Sequence, residues 1–331
     1  MPSGIYRDHA DACPGAVELH QAADGGLARI RVPGGTLSAA QWDVVRTAAG
    51  ELGNGSVELT SRANLQIRGL ADGVELGARL RAAGLLPSLT HERIRNVIAA
   101  PLEDNQALVD ALDAALCADP LLAGLPGRFL VTVGASVSGL GGDFGLVGDV
   151  LLLAGTDVGV RVQDPVDAVV TAARLFQRMR GTAWRLSEVD DGVRKITAHF
   201  GASATERITP GVTPVAPSAV TPGVPLGRLD ATQLPGVALR LTPWRSVVVP
   251  AGTDVSGLIT DPASPWHGVS ACTGRPGCAK SLSDVRADAR AWLGTPHSRP
   301  VHWSGCARRC GRPAGDVIEF VATGDGYEEI R

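Results

Sequence analysis

The chain repeats itself, and the repeat constrains its fold more than any single motif. The stretch "GTLSAAQW" (35–42) returns as "GRLDATQL" (227–234), with Gly, Leu, Ala and Gln in register. Ser38 and Asp230 hold the same place in each copy; both cap helices well, so each predicts a following helix. "VELTSRANLQIRG" (57–69) is echoed by "LRLTPWRSVVVPAG" (239–252). Both alternate apolar residues as strands do, Leu65 and Ile67 standing against Val247 and Val249. "GDVLLLAG" (148–155) resembles "GDVIEFVA" (315–322). Three matches in one order predict an internal duplication.

Between the copies, residues 201–227 carry prolines at 210, 214, 217, 222 and 225, a composition suited to an extended linker. "NQALVDALDAALCAD" (105–119) sets Leu108, Leu112, Ala115 and Leu116 on one helical face. Asp164-Pro165 reads as the cap and first turn of another helix. "RFLVTVG" and "DVLLLAGTDVGVRV" read as strands. The expected class is α+β, duplicated. "SGLGGDFG" (138–145) misses the glycine register of a dinucleotide loop, and a hairpin turn is expected there.

Four of six cysteines, Cys272, Cys278, Cys306 and Cys310, fall close together as Cys-x5-Cys and Cys-x3-Cys. The intervening "SLSDVRADARAWLG" predicts a helix with a serine cap and Gly294 at its end, and "RPVHW" a strand into Cys306. Each pair then lies on a loop free to bend around a metal. Thiolates without nearby acidic ligands suit an iron–sulfur cluster or zinc, and zinc ribbons favour pairs spaced by two to four residues. Unliganded thiols and disulfides stay open. Cys117 ends a helix and suits the core; Cys13 has no visible partner.

The net charge is −3 over 331 residues, which argues against bulk nucleic-acid affinity. The opening residues lack the apolar core of a signal peptide, and no run of 18 apolar residues occurs. A cytoplasmic protein is expected, with no membrane partner. In that reducing compartment clustered thiols serve metals or catalysis rather than disulfides.

Cys-x5-Cys followed by Cys-x3-Cys resembles the cluster pattern of the nitrite and sulfite reductase superfamily. Other stretches agree: "RIRVPGG" (29–35), "LTSRANLQIRG" (59–69) with its Thr-x-Arg-x-Asn-x-Gln order, "RNV" (95–97) and "LPGRF" (125–129). The resemblance implies a duplicated α+β fold of ferredoxin-like half-domains related by a pseudo-two-fold, with a [4Fe–4S] cluster beside a tetrapyrrole. It implies a first ferredoxin-like half-domain at 1–90, an α+β domain at 91–200, a linker at 201–226 and a shortened cluster-binding half at 227–331. Cys272, Cys278, Cys306 and Cys310 become the cluster ligands. The first copy's matching loop, from Gly134, has no cysteine.

The family's anion-holding block carries two lysines; here those positions are Arg128 and Leu130, a departure that counts against six-electron reduction of nitrite or sulfite. "CPG…DGGLARIRVPGG" and "HWSGCARRCGRP" look most like the precorrin-3B synthase family of aerobic cobalamin synthesis. That likeness implies an oxygen-dependent monooxygenase converting precorrin-3A by meso-carbon hydroxylation and γ-lactone closure. It also suggests a mononuclear non-haem iron, whose ligands the sequence does not reveal, and a separate ferredoxin or NADH-dependent reductase as electron donor. A sirohaem-dependent nitrite or sulfite reductase, or a non-catalytic metal-binding protein of this fold, are the alternatives.

Precorrin-3A bears eight carboxylates, and arginine forks bind carboxylate at two points. All but two of the 31 basic residues are arginine, a bias that a GC-rich genome alone can produce. Alternation puts Arg29 and Arg31 on one strand face, and Arg62 and Arg68 on another. By correspondence to the family's motifs Arg62, Arg95 and Arg128 become the best substrate-binding candidates, with Arg31 beside them. Arg308 and Arg309 could tune the cluster, and His267 and His302 flank the cysteine region.

Overall fold

The computed structural model describes residues 11, 13–294, 297, 299–313 and 315–330. In chain order it forms β1 (His20–Ala22), β2 (Gly25–Ile30), β3 (Thr36–Leu37), α1 (Ala39–Leu52), β4 (Ser56–Leu59), β5 (Leu65–Leu70) and α2 (Val74–Ala82). β6 (Val97–Ala99), α3 (Gln106–Ala118), β7 (Val131–Val133), β8 (Phe144–Val147), β9 (Val150–Leu153), β10 (Thr156–Arg161), α4 (Pro165–Met179) and α5 (Gly192–Phe200) follow. The last part holds β11 (Arg228–Asp230), β12 (Leu239–Leu241), β13 (Val247–Val248), β14 (Val269–Ala271), α6 (Val285–Trp292), β15 (Val301–Ser304), β16 (Ile318–Ala322) and β17 (Tyr327–Ile330). The class is α+β, as expected.

The first sheet runs β1-β2-β5-β4-β11, all pairs antiparallel. Alternation gives it two chemistries. Ala28, Ile30, Val57, Leu65 and Ile67 face a core with Trp42, Val45 and Ala48 of α1 and Leu76 and Leu80 of α2. The other face presents Arg29, Gln66 and Glu58, which are cross-strand partners, and next to them Arg31 and Arg68. Ser38 starts α1 through a capping box with Gln41, and Asp164 starts α4 by accepting from the amides of Val166 and Asp167.

The duplication is written in the topology. β6, β7 and β8 are parallel neighbours and β9 returns antiparallel; β14, β15, β16 and β17 do the same. Each half also lends a strand to the other. β3 pairs with β12, setting Leu37 against Leu239, while β11 pairs with β4, setting Leu229 against Val57. Under the sequence repeat the first pair maps onto the second residue for residue. Thr60–Asn64 and Thr242–Ser246 form the same turn: Asn64 and Ser246 each donate their amide to the threonine Oγ1.

The exchange places Leu229, Leu234, Leu239, Leu241, Val247 and Val249 in the core of the first half, so the expected segment 227–331 is divided between two cores. Residues 203–213 run extended along the 91–200 region, hydrogen-bonded to Gly159, Gly139 and Ser136.

Four local expectations change. The third repeat match is out of register, because 150–153 is β9 whereas 318–322 is β16, the topological partner of β8. Apolar runs after Gly-Asp look alike whichever strand they build. No helix follows Asp230, although Gln233 still caps its amide at 2.9 Å as Gln41 does for Ser38; Pro235 cannot continue a helical ladder. "SGLGGDFG" is no hairpin, since β7 and β8 are parallel and residues 134–143 cross between them through a short 3-10 turn at Ala135–Val137. The cap of α6 is Asp284, which accepts from the Ala287 amide, rather than a serine.

Candidate functional site

Parallel pairing of β14 and β15 brings the ends of both strands to one sheet edge. Ala271 there leads directly into Cys272, and Ser304 through Gly305 into Cys306. None of the four clustered cysteines is in a disulfide. The Gly305 amide donates to Cys272 Sγ at 3.2 Å. Burial, and then the Cys278 and Cys306 thiols, push the Cys272 thiol up, against hydrogen bonds from Gly305 and Gly274. Burial and the other three thiols push Cys310 up in the same sense. A cation among the four sulfurs would favour the thiolate forms of Cys272 and Cys310 that their surroundings disfavour.

Among the described residues no three His, Cys, Asp or Glu groups converge on a single metal ion. Zinc requires four sulfurs about 2.3 Å from one point. A [4Fe–4S] cube binds each cysteine to a different iron, so its ligands surround a volume instead, and the donor set fits that group.

The cysteine loops rest on the polar face of the first sheet. Arg68, 5% exposed, forks onto Asp24 at 2.9 and 2.8 Å and donates to Gly277 O at 2.6 Å. A side chain at position 277 would meet Asp24 Oδ2 at 2.9 Å, so glycine permits this approach. Glu58, also buried, holds Arg286 at 2.7 Å, and Arg286 donates to Cys272 O at 3.2 Å. Arg245 reaches Gly311 O beside Cys310. Gln66 joins Glu58 to Arg29, giving a continuous polar row from Cys272 to Arg29.

Beyond Arg29 lies a crowded cationic region. Burial first, with neighbouring Arg29 and Arg62 and despite Cys13, lowers Arg31 to about 10. Burial and then Arg185 lower Arg62 to about 10. The Nη1 of Arg31 is buried with no acceptor among the described residues. Cations held this closely, one with an orphan donor, fit a polyanionic ligand.

Residues 20–74 match the nitrite/sulfite reductase ferredoxin-like half domain. A curated precorrin-3B synthase from Sinorhizobium sp. is 25% identical over 380 aligned positions, covering 96% of this chain and 81% of that protein. The structure of the Mycobacterium tuberculosis NirA protein superposes with a TM-score of 0.70 at 19% identity, covering 92% of this chain and 73% of NirA. These likenesses give the chain a nitrite/sulfite reductase-like α+β fold.

The four arginines picked out by the superfamily motifs separate in space. Arg31 and Arg62 share the cationic region, where Arg62 donates to Gly127 O at 3.4 Å. Arg128 stands at its exposed rim, 4.9 Å over Trp184. Arg95 is elsewhere: it forks onto Asp113 of α3 at 2.8 and 2.6 Å and donates to Leu85 O. That guanidinium is spent inside the protein and is not free for a substrate.

Leu130, at the superfamily's second lysine position, is buried with Ile98, Ala100 and Val137. Arg309 and Arg312 pair with buried Glu319. His302 is fully buried between Ser270 Oγ at 2.8 Å and Cys310 O at 3.2 Å; burial, then Arg245, lowers it to about 4. Both its ring nitrogens are engaged, so it positions the Cys310 loop. His267 is exposed, and His9 lies outside the described residues.

Glu58 and Arg286 went unnoticed in the sequence, and Cys13, for which no partner was visible there, has two. Arg29 Nη1 and Arg31 Nη2 each donate to Cys13 Sγ at 3.3 Å. Arg240, the repeat counterpart of Glu58, reaches the loop after β6, donating to Gly34 O, Pro101 O, Glu103 O and Asn105 Oδ1.

Proposed function

We propose that the chain is a precorrin-3B synthase: it holds precorrin-3A on the arginine-bearing face of the first sheet, beside a [4Fe–4S] cluster on Cys272, Cys278, Cys306 and Cys310. The observation that carries the reading is the direct tie between the two parts, Arg68 gripping the cysteine loop at Gly277 O from the face that presents Arg29. The named relative from Sinorhizobium supports the substrate class.

In this reading Arg29, Arg31 and Arg62 bind peripheral carboxylates and fix which meso carbon faces the cysteine loops. Arg128, at the rim, meets the substrate on entry. Arg68, Arg286 and Arg245 keep the loops seated against the sheet. A [4Fe–4S] cluster, when bound, supplies electrons one at a time for oxygen reduction. One oxygen atom enters the meso position and the other leaves as water, which takes two electrons and two protons from outside. A separate ferredoxin or NADH-dependent reductase delivers the electrons. No residue is assigned to a mononuclear iron, for want of a converging ligand set among the described residues.

Reduction of nitrite or sulfite with sirohaem fits less well. The position that offers a lysine to the anion is Leu130, packed in an apolar cluster with Trp244 at its edge. Anaerobic purification followed by absorption and metal analysis tests the proposal. A brown protein with about four irons and matching sulfide, and no sirohaem bands, is expected. Stoichiometric zinc, or a tightly held sirohaem, overturns it.

A further inference from the structure

We infer that Cys13 is an oxidation site, a thiol that hydrogen peroxide converts to a sulfenic acid whose oxygen Arg31 then holds. Its sulfur accepts from two guanidiniums, Arg29 Nη1 and Arg31 Nη2, each at 3.3 Å. Such donors stabilise the negative charge that gathers on sulfur as it attacks an electrophile. The residue is only half-buried, and the Asp11 carboxylate accepts from its amide, which fixes the backbone.

A second observation is independent of the thiol. Arg31 is 3% exposed, and its Nη1 has no acceptor among the described residues. A buried cationic N–H without a partner marks a place for an anionic oxygen. That nitrogen belongs to the planar fork already touching the sulfur, so an oxygen added to Sγ supplies the acceptor it lacks.

The step balances with peroxide alone. A sulfur lone pair bonds to one peroxide oxygen, the O–O bond breaks, and hydroxide leaves, taking up the thiol proton as water. Sulfur is oxidised and peroxide reduced. The other cysteines offer no such setting. Burial, and then Asp113, push Cys117 up to about 11, and the remaining four stand in the thiol group.

In one respect the inference rests on the proposed function: Arg29 and Arg31 are also assigned to substrate carboxylates, so oxidation and polycarboxylate binding exclude each other. The full chain, purified anaerobically, is treated with hydrogen peroxide and dimedone, which captures sulfenic acids, and adducts are mapped by peptide mass. Uroporphyrin serves as the polycarboxylate probe. Cys13 is expected to label about tenfold faster than Cys117. Arg31→Gln slows Cys13 roughly fivefold without changing Cys117, and saturating uroporphyrin blocks Cys13. Labelling of Cys13 no faster than Cys117, a comparison internal to the unmodified sequence, overturns the inference. An Arg31→Gln rate equal to wild type does the same. Fast labelling that uroporphyrin leaves unslowed keeps the reactive thiol and overturns the assignment of Arg29 and Arg31 to substrate.

Discussion

Arg62 and Arg95 both lie in superfamily motifs, yet the structure gives them opposite work, and replacing each by glutamine separates the two. Arg95→Gln strips the fork from a carboxylate 16% exposed and leaves Leu85 O without its donor. Removing one partner of a buried pair costs about 3–5 kcal/mol. At roughly 2–4 °C per kcal/mol, melting falls on the order of 10 °C. Arg62 has one weak internal bond, 3.4 Å to Gly127 O, and stands among like charges. Its loss costs about 0.5–1.5 kcal/mol in hydrogen bonding, partly offset by relieved repulsion from Arg185. For a polycarboxylate, however, one charge-assisted contact disappears, about 1.5–3 kcal/mol, which weakens binding roughly 10- to 100-fold. Thermal unfolding followed by dichroism and fluorescence titration with uroporphyrin read the two effects. An Arg95→Gln protein that melts like wild type but no longer binds, or an Arg62→Gln protein that binds like wild type, refutes the division of labour.

Further outcomes follow from the same geometry. Cys310→Ser keeps the shape of the loop but removes one thiolate; iron per chain should fall well below the wild-type value by colorimetric assay, and oxygen-dependent turnover of precorrin-3A with it. Gly35 has φ +77° and a side chain there would meet Leu241 O at 2.3 Å, so Gly35→Ala should part β3 from β12 and cost about 2–4 kcal/mol in urea unfolding. Burial pushes the Asp157 carboxyl up, but the Arg161 fork and the amides of Ile208 and Gly159 outweigh it and hold it at about 2. Because that value lies below the unfolded one near 3.9, about 2–3 kcal/mol of stability is present above that pH and lost as pH falls through 2. Denaturant melts from pH 5 to 2 should show the slope, and Asp157→Asn should flatten it.

What could be read from the sequence was local chemistry repeated twice. Thr60 and Thr242 build the same turn from the same hydroxyl, and Gln41 and Gln233 each accept from the amide three residues back, so the duplication was visible. The exchange of β3 and β11 was not, since a short strand carries no mark of which edge it joins. The cysteine spacing exposed the thiol site because its residues are close in the chain. Cys13 stayed hidden for the opposite reason: its partners lie 16 and 18 residues away, and nothing in an isolated cysteine names them. Arg95 looked like a ligand because its motif placed it well, and only the arrival of Asp113 from α3 revealed its internal duty. Leu130 was informative in both views, as an absent cation in the sequence and as core in the fold.

The reciprocal loan of β3 and β11 has a consequence for how such a molecule can be divided. A polypeptide severed in the extended stretch near residue 213 yields two fragments, each with a naked sheet margin that only the other can clothe. Neither piece should persist alone in solution, while the pair produced together should knit back into one particle. The same logic reaches backward: before the two copies were fused, a single-copy ancestor could cover that margin only by embracing its own twin.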